Sequence, residues 1–150
     1  MRLLFLQQAF NTNSSSWSTL TAAIPDHFGR LAAVLYDSRI IVLGANFNGL
    51  FDPETGQWAT DEGRRLAGGG GGAGVSDFGM CVDDGRLYVL GGRRYNADKY
   101  ETTDEVKSVE VALACVAGRA LTTSDWRPHA RLPRPSVISV CGLLDISSDV

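Results

Sequence analysis

The sequence predicts an all-β fold made of repeated four-stranded antiparallel units, and three observations support that prediction. The strand-like segment RIIVLGA at 39–45 is nearly repeated by RLYVLGG at 86–92. Each copy follows an apolar stretch that ends in Asp plus Ser or Gly, and each precedes another short strand and a tryptophan. No helix-length window shows amphipathic helical spacing free of Gly and Pro, apart from part of 105–117, where alternating valines favour a strand.

Two-residue turns join the first two strands of each copy, which we name strands a and b. Asp84-Gly85 separates two apolar runs, and an Asp-Gly pair suits a type I′ turn because both central positions need positive φ. Asp37-Ser38 is a weaker form of the same signal in the first copy. The predicted strands cover residues 31–37, 39–45, 48–52, 78–83, 86–92, 106–113 and 137–144.

A third strand, c, and an ending at a tryptophan complete each copy. In the first copy, GLFDPETGQW places an apolar stub before a turn-forming segment and ends at Trp58. In the second copy, VKSVEVALACVAG leads to Trp126, while LQQAFNTNSSSW near the start ends at Trp17 without the unit's beginning. These endings divide the chain into 1–16, the final strand of a preceding partial unit; 17–58, unit one; 59–126, unit two; and 127–150, the opening strand of a partial third unit.

Composition and charge exclude several classes of function. Hydrophobic residues make up 44% of the chain and charged residues 21%, which is typical of a folded globular protein. The formal net charge is −3 and there is no run of like charge, so nucleic-acid binding is not expected. The opening MRLLFLQQAF has too short an apolar run for a signal peptide, and no later run reaches a membrane span. We therefore expect a cytoplasmic protein.

Few residues offer metal-binding or nucleophilic chemistry. Cys81, Cys115 and Cys141 are an odd number, spaced too widely for paired zinc ligands or a redox pair, and all lie in apolar stretches. We expect them to be small buried hydrophobes. His27 and His129 are the only histidines. The sequence therefore predicts no catalytic residues, no metal and no other cofactor.

The repeat length indicates how the units assemble. Four short antiparallel strands in about 40 to 50 residues is the period of a β-propeller blade. In unit two, the strand ending in Gly91 and Gly92, the charged loop after it, the SVEV strand, and Trp126 followed by Leu132-Pro133 resemble the kelch repeat. The resemblance covers about residues 17–145, and unit one departs from it at Ala45, which stands in place of the second glycine.

The resemblance implies a kelch-type β-propeller fragment in which glycines let backbones pass closely and tryptophans fill the wedge between blades. We therefore expect Trp58 and Trp126 to be buried between neighbouring blades. Propellers close with about 4 to 8 blades, whereas this chain supplies two whole blades and parts of two others. Further blades from the same or another chain are expected to close the ring.

Function is expected on the face that carries the long loops. In a four-stranded antiparallel blade the b-to-c loops and the links between blades lie on one face, and the remaining turns lie on the other. Long loops at one edge of a rigid scaffold commonly bind partners. The long segments are 26–30, 46–48, 61–77, 93–105 and 127–136. We predict a non-catalytic scaffold for another protein, with candidate contact residues Arg30, Phe47, Arg93, Arg94, Tyr95, Tyr100 and Arg134.

The arginines suggest the chemistry of the partner. Arg30 and Arg134 stand just before two channel-lining strands a, where guanidinium groups can meet a carboxylate. The resemblance to kelch adaptor domains implies an acidic peptide segment as ligand on this face. Together with Arg93, Arg94 and Arg131, these residues lead us to expect a locally basic rim on a net acidic chain.

Two alternatives compete with the binding scaffold. The glycine tract at 66–79 lacks the Lys and Ser/Thr ending of a phosphate-binding loop, so a flexible spacer between blades is favoured. Some kelch-like propellers are enzymes, so the second alternative is a fragment similar to galactose oxidase or to a sugar-modifying enzyme. Asp26, Asp77 and Glu105 are the candidate acids or bases, but the sequence shows no pairing among them.

Overall fold

The structure is a computed structural model, and it describes residues 7–20, 31–45, 47–60, 74–96, 98–111 and 126–138. These residues contain strands and turns but no helix. The strands are β1 (Gln7–Asn11), β2 (Ser16–Leu20), β3 (Ala32–Tyr36), β4 (Arg39–Leu43), β5 (Asn48–Asp52), β6 (Gln57–Thr60), β7 (Gly79–Asp83), β8 (Arg86–Leu90), β9 (Arg93–Asn96), β10 (Lys99–Thr102), β11 (Val106–Glu110) and β12 (Arg127–Pro128).

Two four-stranded antiparallel sheets form the body of the fold. Blade one has the order β3-β4-β5-β6 and blade two the order β7-β8-β11-β12, so each follows the predicted a, b, c, d sequence. The turns between strands a and b adopt positive φ at both positions, at Asp37 and Ser38 in blade one and at Asp84 and Gly85 in blade two. The predicted all-β, propeller-type fold of four-stranded blades is confirmed.

The N-terminal hairpin β1–β2 repeats the c-to-d half of a blade. The Asp52 carboxylate accepts hydrogen bonds from the backbone N–H groups of Glu54 and Thr55, at 2.9 and 3.2 Å. The Asn11 side chain does the same for the two residues at the matching positions, at 2.9 and 3.1 Å. Each turn ends in a strand with a tryptophan at its second residue. The boundaries predicted at 16/17 and 58/59 fall inside β2 and β6.

The core lies between the two blades. Ile41, Leu43 and Leu50 of blade one are buried against residues of blade two, and the innermost strands β3 and β7 contact each other. Alternation along β4 and β5 therefore directs one side of blade one into this core and the other side away from it. The blade-two members of the core are Val75, Phe78, Met80, Leu87, Val89, Val109 and Val111.

The two predicted core tryptophans are half-buried rather than fully buried. Trp126 packs against the core between the blades. Trp58 packs on the opposite side of blade one, where its ring centroid lies 4.9 Å from that of Phe51 and 6.2 Å from that of Phe47. Both indole Nε1 atoms are buried and have no hydrogen-bond acceptor among the described residues. The corresponding Trp17 of the N-terminal hairpin is 68% exposed.

The double glycine of blade two allows two close backbone approaches. Gly91 and Gly92 both have positive φ, 61° and 103°. A Cβ at Gly91 would lie 2.5 Å from the backbone oxygen of Ser136, and one at Gly92 would lie 2.6 Å from that of Ser76. The predicted role of these glycines is confirmed, because the chain crossing from one blade to the next passes directly over them.

Six of the seven predicted strands are present, 48–52 with the predicted bounds and the other five with shorter ones, and the segment 137–144 differs. Val137 and Ile138 are not in a strand, and the rest of that segment lies outside the described residues. The predicted loop 93–105 instead contains the hairpin β9–β10. The glycine tract at 66–79 is described only from Gly74 onward. Within the described part of the chain, no helix is long and apolar enough to cross a membrane.

Candidate binding surface

The hairpin β9–β10 is the b-to-c connection of blade two. Asn96 pairs with Lys99, so two residues, 97 and 98, connect the strands, and Asp98 has a φ of 70°. Arg93 exchanges two backbone hydrogen bonds with Ser76, at 2.7 and 2.9 Å. These bonds fix the base of the hairpin to the segment that enters blade two. The charged insertion is therefore an ordered β-hairpin.

The segment 129–138 crosses the same face and is held by backbone hydrogen bonds along its length. Leu132 donates to Asp104 O at 2.8 Å, and Ser136 O accepts from Gly92 N at 2.8 Å. Ile138 donates to Asp77 O at 3.2 Å at the far end. We name the hairpin β9–β10, this segment and the turn residues Gly44, Ala45 and Phe47 the rim surface. All three lie on the face where the loops between strands b and c were predicted.

Three arginines of the rim surface are paired with carboxylates of the same face. Arg94 Nη2 lies 2.7 Å from Glu105 Oε2, and Arg131 Nη1 lies 2.7 Å from Asp104 Oδ1. Arg93 Nε lies 3.8 Å from Asp77 Oδ2. The expectation of a locally basic rim was therefore wrong for these arginines, because each positive charge is offset by an adjacent negative one.

The predicted contact residues are only partly brought together. Phe47 is half-buried and its ring makes a T-shaped contact with Trp58, so it belongs to the packing of blade one rather than to an exposed contact. Tyr100 is 67% exposed on β10, and its partner in the ladder is Tyr95. Arg134 is exposed on the crossing segment. Arg30 lies outside the described residues, as does the side chain of Tyr95.

A polar cluster on blade two was not predicted. The fully buried Ser108 hydroxyl lies 2.7 Å from His129 Nε2 and accepts hydrogen bonds from Arg86 Nε and Nη2, at 3.3 and 3.1 Å. Arg86 only donates to this hydroxyl, and which of Ser108 and His129 donates in their mutual hydrogen bond depends on the tautomer of the imidazole. Arg86 Nη1 also pairs with Glu110 Oε2 at 3.1 Å. Alternating residues of the paired strands β8 and β11 lie on the same face of the sheet. The contact between Arg86 and Ser108 could not be predicted, because the two residues are distant in sequence.

The histidines considered as metal ligands do not meet within the described structure. His129 uses its Nε2 for Ser108, and its ring centroid lies 5.4 Å from that of Tyr88. His27 and Asp26 lie outside the described residues. In the part of the chain that the structure describes, no group of three or more His, Cys, Asp or Glu side chains is arranged for a metal ion. Cys81 is half-buried, whereas Cys115 and Cys141 lie outside the described residues.

The fold resembles a solved protein structure at low sequence identity. It superposes on the structure of YjhT with a TM-score of 0.63 and 13% sequence identity. The match covers 89% of this chain and 45% of YjhT, so the chain spans about half the length of that protein. No protein-family model and no curated protein matches the sequence. The likeness concerns the fold alone.

Proposed function

We propose that this chain is a non-catalytic scaffold that binds another protein through the rim surface. The hairpin β9–β10 carries the proposal, because it is an ordered insertion on one face of a blade whose opposite a-to-b turn has two residues. Exposed tyrosine on a rigid element contributes large contact area at low conformational cost. Tyr100 is a large exposed aromatic residue of this hairpin.

The ion pairs of the rim surface favour a partner that contacts the hairpin by shape and aromatic packing. Arg93 and Arg94 are held by Asp77 and Glu105, and an acidic peptide would have to compete with these carboxylates. Arg134 is exposed, and the structure gives it no ion pair with the described residues. An acidic segment in the partner is therefore proposed to meet Arg134, while the hairpin supplies most of the contact.

Site-specific photo-crosslinking tests the proposal and captures the partner in the same step. Benzoylphenylalanine replaces Tyr100 in one variant and Leu35 in a control variant, and both are irradiated in cells that express the chain. The two positions are matched in exposure, at 67% and 68%, but Leu35 lies on strand a of blade one. We expect a discrete protein adduct from position 100 that position 35 does not give. Identical adducts at both positions, or none at position 100, would contradict the proposal.

The adduct's protein component, identified by mass spectrometry, is then used for affinity measurements. Tyr100→Ala should weaken binding about tenfold or more, since loss of an aromatic hot spot costs roughly 2 kcal/mol. Leu35→Ala should leave the dissociation constant unchanged. Arg134→Glu should slow association if an acidic segment is involved, and this slowing should diminish at high salt. An unchanged association rate would eliminate the acidic segment while leaving the hairpin contact intact.

A further inference from the structure

The hairpin β1–β2 and the c-to-d hairpin of blade one carry the same aromatic pair in the same register. Phe10 lies opposite Trp17 in the first hairpin, and Phe51 lies opposite Trp58 in the second. The ring centroids of the two pairs are 5.0 and 4.9 Å apart, and both pairs are tilted. Blade one therefore shows what surrounds such a hairpin when its sheet is complete.

Only the aromatic pair of blade one has a third strand beside it. Phe51 is 4% exposed, and strand b of its blade places Ile40 opposite it in the ladder. Phe10 is 46% exposed and Trp17 is 68% exposed. Among the described residues β1 pairs with β2 alone, so no strand lies along the other edge of β1. The exposed Phe10 marks the position that strand b covers in blade one.

The composition of β1 leaves this edge open to pairing. Charged side chains and proline on edge strands discourage pairing with another chain. The other two-stranded hairpin, β9–β10, contains Arg93, Arg94, Lys99 and Glu101. In contrast, β1 (QQAFN) and β2 (SWSTL) contain neither a charged residue nor a proline. A two-stranded hairpin is only marginally stable, and a further strand adds stability to it.

We propose that the edge of β1 opposite β2 binds an extended apolar segment of another protein, which adds as an antiparallel strand beside Phe10. In this mode of recognition, main-chain hydrogen bonds to the sheet edge supply affinity, and side chains at alternating positions supply specificity. The surface is separate from the rim surface, which is built from the hairpin β9–β10 and the segment 129–138. The inference therefore does not depend on the proposed function.

Blade one indicates the composition of the bound segment. Its strand b places Ile40 opposite Phe51 and continues with Ile41 and Val42. The equivalent ligand has a β-branched aliphatic residue opposite Phe10 and further aliphatic residues along β1. Such residues favour extended backbone, and an aliphatic side chain directly opposite an aromatic ring packs against it.

A fluorescently labelled peptide of sequence RIIVLG, copied from residues 39–44, is the probe. Fluorescence anisotropy should show saturable binding to the 150-residue chain. Phe10→Ser should weaken this binding about tenfold or more, because it removes the aromatic side chain at the centre of the contact. Val137→Ser is the matched control and should change nothing, since Val137 is 39% exposed but lies on the crossing segment. Absent binding, or an equal effect of both variants, would overturn the proposal.

Backbone methylation of the probe tests whether it adds as a strand. Alternate residues of an antiparallel strand direct their N–H groups to opposite edges. Methylation of the nitrogens of Ile40 and Val42 in the probe blocks one edge, and methylation of those of Ile41 and Leu43 blocks the other. One methylated peptide should bind at least tenfold more weakly than the other. Equal affinities would indicate apolar contact without strand pairing and would overturn the proposal, and this test uses the unmutated chain.

A second copy of the chain is the competing occupant of this edge. Sedimentation velocity over a range of concentrations compares the unmutated chain with Phe10→Ser, and circular dichroism checks that the variant is folded. We expect both to sediment as the same species. Dimerisation of the unmutated chain that is lost in Phe10→Ser would assign the edge to self-association and would overturn the proposal.

Discussion

Blade one and blade two close their second and third strands at the same ladder position with connections of very different length. In blade one, Gly44 donates to Phe47 O at 2.8 Å, and only residues 45 and 46 lie between them. In blade two, Gly91 donates to Glu105 O at 2.8 Å across the whole hairpin β9–β10. The same ladder position is therefore closed around a short turn in blade one and around a hairpin in blade two. That hairpin is the element proposed to bind a partner.

The two blades also differ in the side chains that lie on one face of their strands b and c. In blade one this side presents Ile41 paired with Leu50, both buried against blade two. At the equivalent ladder position blade two has Tyr88 paired with Ser108. Ser108 is buried by Arg86 and His129 of its own blade. This pair of repeat positions is therefore apolar and buried between the blades in blade one, whereas in blade two it includes the hydroxyl of a hydrogen-bonded cluster.

Removal of the tryptophans tests how much each of them contributes to the stability of the fold. Trp126→Ala and Trp58→Ala should each lower the free energy of unfolding by about 3 kcal/mol, the lower end of the range for large aromatic deletions because both are half-buried. Trp17→Ala, at an exposed position, should cost far less. Chemical denaturation measures all three. A cost for Trp17 equal to that for Trp126 would show that packing between the blades is not what these residues provide.

Gly91→Ala tests the close backbone crossing that blade two requires. Both positive φ and the clash with Ser136 O oppose the new methyl group, so we expect a loss of about 2 to 3 kcal/mol. Gly56→Ala in blade one is the matched control, since it has a φ of 68° but a Cβ there would have no atom within 4 Å. It should cost about 1 kcal/mol. Equal losses would mean that the crossing segment yields without cost.

Ser108→Ala tests the polar cluster formed by Arg86, Ser108 and His129 on blade two. The change leaves Arg86 and His129 without their shared hydroxyl, and we expect a loss of about 1 to 2 kcal/mol in urea denaturation. Glu110→Ala removes an exposed ion pair to the same arginine and should cost less than about 0.5 kcal/mol. If the two variants lose the same stability, the buried hydroxyl does not organise the cluster.

The smallest effect concerns the c-to-d turn of blade one. The backbone N–H groups of Thr55 and Glu54, with help from Arg39, hold the pKa of Asp52 below its ordinary value, although partial burial opposes them. A lowered folded-state pKa means that Asp52 stabilises the fold above its unfolded pKa, and this contribution is lost as pH falls through the folded pKa. Asp52→Asn, which copies the Asn11 turn, should remove that part of the pH dependence. Thermal melts across acidic pH that are unchanged by the substitution would contradict this.

The local parts of the fold could be predicted because they depend on neighbouring residues. Asp84-Gly85 specifies its turn through the φ angles that those residues tolerate, and the segment from Asp52 to Gly56 does the same. The hairpin β9–β10 was predicted only as a charged loop, because its strands lack apolar alternation and β10 is exposed along its length. The available signal was Asn96 to Lys99, a mostly polar four-residue stretch with a tyrosine on each side.

The electrostatics of the rim surface could not be predicted, because its ion pairs join residues distant in sequence. Arg131 meets Asp104 across 27 positions, and Arg94 meets Glu105 across 11. Counting arginines in loops gave a positive rim, whereas the folded face brings a carboxylate to each of these cations.

The short turn between β4 and β5 of blade one is a suitable position for inserting a loop by protein engineering. Gly44 and Phe47 occupy the ladder position that Gly91 and Glu105 occupy at the base of the hairpin β9–β10. A loop inserted at residues 45 and 46 would therefore begin and end next to residues that are already hydrogen-bonded to each other. Closing a longer loop adds only about 0.6 kcal/mol for each doubling of its length. The two blades therefore show the same connection once as a short turn and once with an inserted hairpin, which makes residues 45 and 46 a defined position for adding a loop.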